Sequence, residues 1–274
     1  MSVYFALTVR ERVVQSPDKP KIRDGFITVF KNKPMRIIIL SEFLSAFSVS
    51  VNKSDYFIDV LGMSSFGTIT EIPGAPISVI SYGFVNGMRK RFSNKFLWIL
   101  TSHMDAVLDI LTFLLGIIGG TGKKGWYNSK VKMFFILMPA EVLRKSFWGV
   151  RNVIPDEILY ESIDFCEWKD AAGRRSEGVI LSVKALMKKL VSNTTGSLKA
   201  YIKSLFEYDY YSENGQSQKV KFSLFMLSYV LPAAMSLSSI IPKLFYDITP
   251  KTREQMYSEL QYRREKILEN QEEM

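Results

Sequence analysis

From Met35 onward, apolar residues cluster in six stretches, each long enough to cross a bilayer: 35–61, 64–87, 96–120, 128–153, 178–206 and 221–245. About 20 residues at a rise of 1.5 Å cover a hydrocarbon core of about 30 Å. None is an unbroken apolar run. Each carries Ser, Thr, Gly or a charge, which suits helices packed on one another or around water better than lone anchors. The pattern predicts an all-α integral membrane protein with a bundle of six transmembrane helices over 35–246. Residues 10–34, RERVVQSPDKPKIRDGFITVFKNKP, read as a basic linker. Residues 247–274 read as a polar tail helix, with Thr249 placed as N-cap and Pro250 at the first helical position.

Charge sharpens this picture. The chain of 274 residues holds 36 Lys and Arg against 27 Asp and Glu, a net +9, and its mean hydropathy is +0.05. Lys and Arg number 21 in 1–36, 88–95, 157–177 and 243–274 against 7 in the alternate segments 52–63, 120–132 and 207–221, the asymmetry of the positive-inside rule. That assigns the chain to a cytoplasmic (inner) membrane as a multi-pass protein with both termini cytoplasmic. It also explains most of the basic excess without nucleic acid, for which no zinc-ligand spacing or RNP-type motif is present. A lone cysteine, Cys166, excludes an internal disulfide and reads as a small apolar residue. With one His, one Cys and no nucleophile motif, an enzyme is not expected, nor a bound metal or organic cofactor. GGTGKKG, 119–125, lacks the Walker spacing and reads as a turn.

The fifth stretch raises the central question, because an apolar helix there carries Lys184, Lys188, Lys189, Lys199 and Lys203. At 3.6 residues per turn, Lys184, Lys188, Ser192, Thr195, Lys199 and Lys203 fall on a stripe roughly 100° wide, bordered by Lys189 and Gly196. An interfacial helix with a solvated basic face would look the same. Apolar stretches on both sides favour a spanning helix that lines an aqueous cavity, since a lysine facing lipid costs about 2.5–3.5 kcal/mol even on the gentler scale. Counter-charges are available within other stretches: Asp105 and Asp109 on one face of the third, Glu141 and Arg144 in the fourth, Glu42 in the first and Glu71 in the second. The carboxylates could serve as general acid and base, as metal ligands, as structural ion pairs or in transport.

The segment IDFCEWKDAAGRRSEGVILSVKALMKKL resembles a stretch of the glycoside–pentoside–hexuronide:cation symporters of the major facilitator superfamily, approximately D-Y-x-E-W-K, a Gly/basic run, R-x-E-G and a helix. KNKPMRIIILSEFL (31–44) is similar to the start of that family's seventh helix. YFIDVLG (56–62) is similar to its Y-F-x-x-V-L-G, and FYDITPKTREQMYSELQYRRE (245–265) to its tail after helix twelve. The resemblance covers the second six of the family's twelve helices, and MSVYFALTVRERVV looks like the end of the sixth, so 1–34 becomes the end of a preceding helix plus a cytoplasmic linker.

The resemblance implies a sugar substrate and cation-driven symport by alternating access, with Na⁺ or H⁺ as coupling ion. The family's helix-eleven lysine near the sugar falls on Lys189, and a polar position one turn earlier on Lys184. Lys188 stands where an apolar residue is usual, which with Lys184 suggests an anionic sugar. Asp164, Glu167, Lys169, Arg174 and Arg175 fall in the cytoplasmic loop before helix eleven, as gating or topology residues. The family's cation-site carboxylates lie mainly in the first six helices, so no residue here inherits that role. The expected partners are the lipid bilayer, the sugar, and a separate N-terminal six-helix half or a second copy to complete the cavity. A membrane-embedded binding or regulatory subunit that does not transport is the alternative.

Overall fold

The structure, a computed structural model, describes residues 26–27, 30–46, 53–170, 177–209 and 215–272. Among these, helices supply all the regular structure and there is no strand. In chain order the helices are α1 (Lys33–Ala46), α2 (Lys53–Asp59), α3 (Phe66–Glu71), α4 (Ala75–Arg91), α5 (Asn94–Gly116), α6 (Lys130–Ser146), α7 (Trp148–Lys169), α8 (Glu177–Leu205), α9 (Gln218–Ser238), α10 (Ile240–Leu244) and α11 (Pro250–Glu272). The chain divides into two compact units. One comprises Met1–Arg36, Tyr160–Val183 and Asp247–Met274; the other, larger one comprises Ile37–Leu159 and Lys184–Tyr246.

Local chemistry sets most helix boundaries. Ser93, Ser129 and Ser217 cap α5, α6 and α9, each hydroxyl accepting from the backbone N–H three residues on. Thr249 caps α11 in the same way at 3.2 Å, with Pro250 as its first residue. After α5 the chain turns through Gly119 and Gly120, both at positive φ, where a side chain would be strained. The GGTGKKG segment is therefore a turn, held by Tyr127, whose hydroxyl donates to the Thr121 carbonyl.

The core of the larger unit is aromatic. Tyr56, Phe57, Tyr127, Phe225 and Tyr229 are buried together, and Phe225 stacks on Tyr127 at 5.1 Å. Helix α5 lies along α9 with Gly116 directly under the Phe225 ring, a space that a Cβ would occupy. Close approach also joins α4 to α7. A Cβ on Gly149 would meet the Tyr82 backbone at 2.7 Å, and the Gly149 N–H donates to the Ser81 hydroxyl at 2.7 Å.

Several expected spans differ in detail. The stretch 35–61 holds two helices, α1 and α2. The stretch 64–87 is interrupted by a 3₁₀ turn at Ile72–Gly74, where Pro73 removes a donor. The stretch 128–153 breaks at Phe147, between α6 and α7, and α7 then continues to Lys169. The assignment of Asp164, Glu167 and Lys169 to a loop is thus corrected: they are helical. Helix α7 carries Pro155 in its interior, where the missing N–H removes one backbone donor without ending the helix. Arg174 and Arg175 lie outside the described residues. By length and composition, two helices among the described residues suffice to cross a membrane, Asn94–Gly116 and Gln218–Leu244, with mean hydropathies of 1.4 and 1.8. The count of six remains an expectation.

Candidate functional site

Two polar assemblies occupy the larger unit. The first gathers all four charged residues singled out in the third and fourth stretches. Arg144 on α6 reaches across to α5, with Nη2 2.9 Å from Asp109 Oδ1 and Nε 3.0 Å from Asp105 Oδ1. Its Nη1 also holds Glu141, one turn back on its own helix, at 2.6 Å. Two cations that the sequence reading did not assign complete the group: Lys53 of α2, 2.7 Å from Asp109, and Arg151 of α7, paired with Asp105. Three cations face three carboxylates, so the group is neutral as a whole. Asp109 is buried and Arg144 half-buried, and isolated charge there would be costly. The Arg144–Asp105 contact lies off the N–H direction, leaving those two atoms in contact without a hydrogen bond. Lys53 also sits 4.7 Å over the ring of Tyr229, whose buried hydroxyl has no hydrogen-bond partner among the described residues.

The second assembly is α8 with α1. Lys184 Nζ pairs with Glu42 Oε1 at 2.8 Å. Around that pair lies a cavity of about 290 Å³, lined by Ile39, Glu42 and Phe43 of α1 and Lys184, Met187 and Lys188 of α8. Further along, Lys203 pairs with Asp55 of α2 at 2.7 Å, under the ring of Tyr208, which itself donates to Asp59. Val191 and Thr195 are buried, while Lys188 and Lys189 are exposed. Exposed Leu186, Leu190, Tyr201 and Leu205 form a separate apolar strip on the same helix. The polar residues occupy an arc of roughly 140°, and the exposed apolar ones lie on the other side. Lys184 and Lys188 line the groove, whereas Lys189 lies outside its lining, exposed at the far edge of the arc.

The smaller unit gathers the other charged candidates. Arg253 of α11 grips Glu161 of α7 with two hydrogen bonds, at 2.6 and 2.8 Å. Arg264 holds Glu167 at 3.1 Å and Asp164 at 3.9 Å. Trp168 donates its indole N–H to Glu259 at 2.6 Å, and Lys169 lies 3.7 Å over the Trp168 ring. The Trp168 hydrogen bond holds the Glu259 carboxyl below its ordinary range. Cys166 is buried among these residues, and burial pushes its thiol up to about 12. Partners 92 to 97 positions away in sequence cannot be read from local patterning.

With this geometry in place, the comparisons are informative. The sequence model of a family described as MFS/sugar transport protein matches residues 1–250, while no curated protein and no solved structure matches. The chain belongs to the MFS sugar-transport family. It is therefore a membrane protein of helical build, from a family of transporters rather than enzymes.

In this member of the MFS sugar-transport family, a neutralised network stands alongside an open row of amines. The network is saturated by its own partners. The row is not: Lys188, Lys189 and Lys199 make no ion pair among the described residues. Among the described residues, no cluster of His, Cys, Asp and Glu suits a metal ion. A third feature, at the chain's single histidine, was not marked by the sequence. Buried Lys243 points its Nζ at His103 Nε2, 3.2 Å away. A lysine beside Pro242 at the end of an apolar run reads as a boundary charge, so nothing in the pattern marks it as buried.

Proposed function

We propose that this chain works as the C-terminal six-helix half of a sugar:cation symporter, forming one wall of a midplane site that alternates its access between the two sides of the membrane. The observation that carries this reading is the open polar arc of α8 beside the Glu42–Lys184 groove, in a chain of the sugar-transport family. Sugars are recognised by donors and acceptors set beside an apolar face. Glu42 would accept from sugar hydroxyls, Lys184 and Lys188 would donate, and Phe43 and Met187 would contact the C–H face of the ring. The neighbouring Lys189 would reach the same ligand from the open side of the arc. Rocking of this bundle against a second one would expose the site alternately, driven by Na⁺ or H⁺. The excess of basic residues in alternate segments supports cytoplasmic termini.

The test is co-expression with an N-terminal six-helix half from the family, followed by uptake of labelled glycosides and glucuronides under a Na⁺ or H⁺ gradient. Uptake should exceed that of either half alone, and Lys189→Ala should reduce it by about tenfold or more. Absence of uptake with every partner half, with the chain still inserted in membranes, would overturn the reading in favour of a binding or regulatory subunit.

A further inference from the structure

The larger unit holds a second titratable assembly, and neither the ion network nor the sugar groove uses it. Lys243 of α10 and His103 of α5 are 4% and 5% exposed. Their nitrogens, Nζ and Nε2, are 3.2 Å apart, and His103 Nδ1 is 3.2 Å from the Ser236 hydroxyl of α9. An ammonium can only donate, so Nε2 must accept; the imidazole is then neutral, with its proton on Nδ1 and donated to Ser236. The charged amine also lies 5.0 Å from the Trp98 ring, whose face favours a cation.

No carboxylate bonds Lys243 among the described residues. The groups around it are few. Lys95 of α5 is engaged by the carbonyls of Leu244 and Tyr246, and the Tyr246 ring packs edge-on to Trp98. Helix α9 presents Ser236. Glu42 of α1 acts on Lys243 electrostatically, and this is the same carboxylate that pairs with Lys184 in the groove. If both Lys243 and His103 were protonated, two cations would stand 3.2 Å apart in a buried site. The pair therefore holds one ionising proton between its two bases.

We propose that the Lys243–His103 pair is a proton-binding site, linked through Glu42 to the Lys184 groove. Binding forms an N–H bond at Lys243 with a proton taken from water, and release breaks that bond and returns the proton to water. In the protonated state Glu42 feels two amines, Lys184 and Lys243. In the deprotonated state it is left to Lys184 alone. Occupancy of the proton site and the strength of the Lys184–Glu42 contact are thus coupled, and coupling of this kind is reciprocal. The proton site stands on its own geometry, whereas its use in transport rests on the function proposed above.

His103 is the only histidine in the chain, so ¹⁵N-histidine NMR of the purified protein in lipid nanodiscs, with its tag removed, reads this site alone. The expected spectrum at neutral pH is that of the Nδ1–H tautomer. Between about pH 5 and 9, its titration should be displaced by about one unit or more in Lys243→Met, and by less in Glu42→Gln. Lys243→Arg keeps the charge but has no proton to give, and should leave His103 neutral across that range. An Nε2–H tautomer in the unsubstituted protein would overturn the proposal even if no variant folds. So would a titration that Lys243→Met leaves unmoved. None of these readouts needs sugar or a second half. An unresponsive histidine in an active transporter sinks the proton site alone, and a responsive one in an inactive chain leaves it standing.

Discussion

Helices α5 and α8 both carry charge through apolar surroundings, and they handle it in opposite ways. On α5, Asp105 and Asp109 point at Arg144, Arg151 and Lys53, and both carboxylates find opposite charges within the chain. On α8, Lys184 and Lys203 are paired while Lys188 and Lys189 stay exposed. Pairing removes the cost of burying charge but leaves little free to meet a ligand. Open amines do the reverse, adding little to stability while staying available. The difference separates charges neutralised within the chain from charges left open, which are the ones the proposed sugar site would use.

Substitutions can break or sharpen that contrast. The largest effect is expected for Arg144→Met, which leaves half-buried Glu141 without its ion-pair partner and buried Asp109 with Lys53 alone, and should cost about 3–5 kcal/mol. Thermal unfolding of the detergent-purified protein would measure it, and an unchanged melting temperature would mean that the network is not the scaffold described. Lys184→Met should fall between the extremes, losing about 1 kcal/mol or less because its pair with Glu42 is partly exposed. It should also reduce uptake in the assembled transporter. Lys189→Ala should leave stability within about 0.5 kcal/mol while lowering uptake, and a clear drop in stability there would erase the distinction between the two helices.

The smallest effect concerns a control outside both helices. Since the Cys166 thiol is pushed up to about 12, it stays protonated and unreactive in the native state. Maleimide labelling should be negligible at neutral pH, rising only as the pH approaches that value or when the protein is denatured. Rapid labelling of the native protein would show that α7 is open at this point.

Much of this arrangement was legible in the sequence, and its gaps have physical causes. Apolar length marked α5 and α9, and Thr249-Pro250 marked the start of α11, because those signals are local. Asp105, Asp109, Glu141 and Arg144 stood out because charge within an apolar stretch is rare, and the structure brings all four together. Lys53 was overlooked because it sits beside a polar run, SVNKSD, that looks like a helix end. Glu161 and Glu167 read as loop charges because their partners, Arg253 and Arg264, arrive from the far end of the chain. The lysine arc on α8 was visible from periodicity, but which of its amines borders a groove was not. That depends on where α1 lies against it.

One contact constrains how such a bundle can move. At Gly149 the backbones of α4 and α7 touch with no side chain between them, and the Ser81 hydroxyl bridges the joint. Helices separated by side chains can slide as rotamers readjust, whereas backbones in direct contact offer no such slack. In the cycle proposed above, the stretches around Ser81–Tyr82 and Gly149 would have the least room to slide past one another.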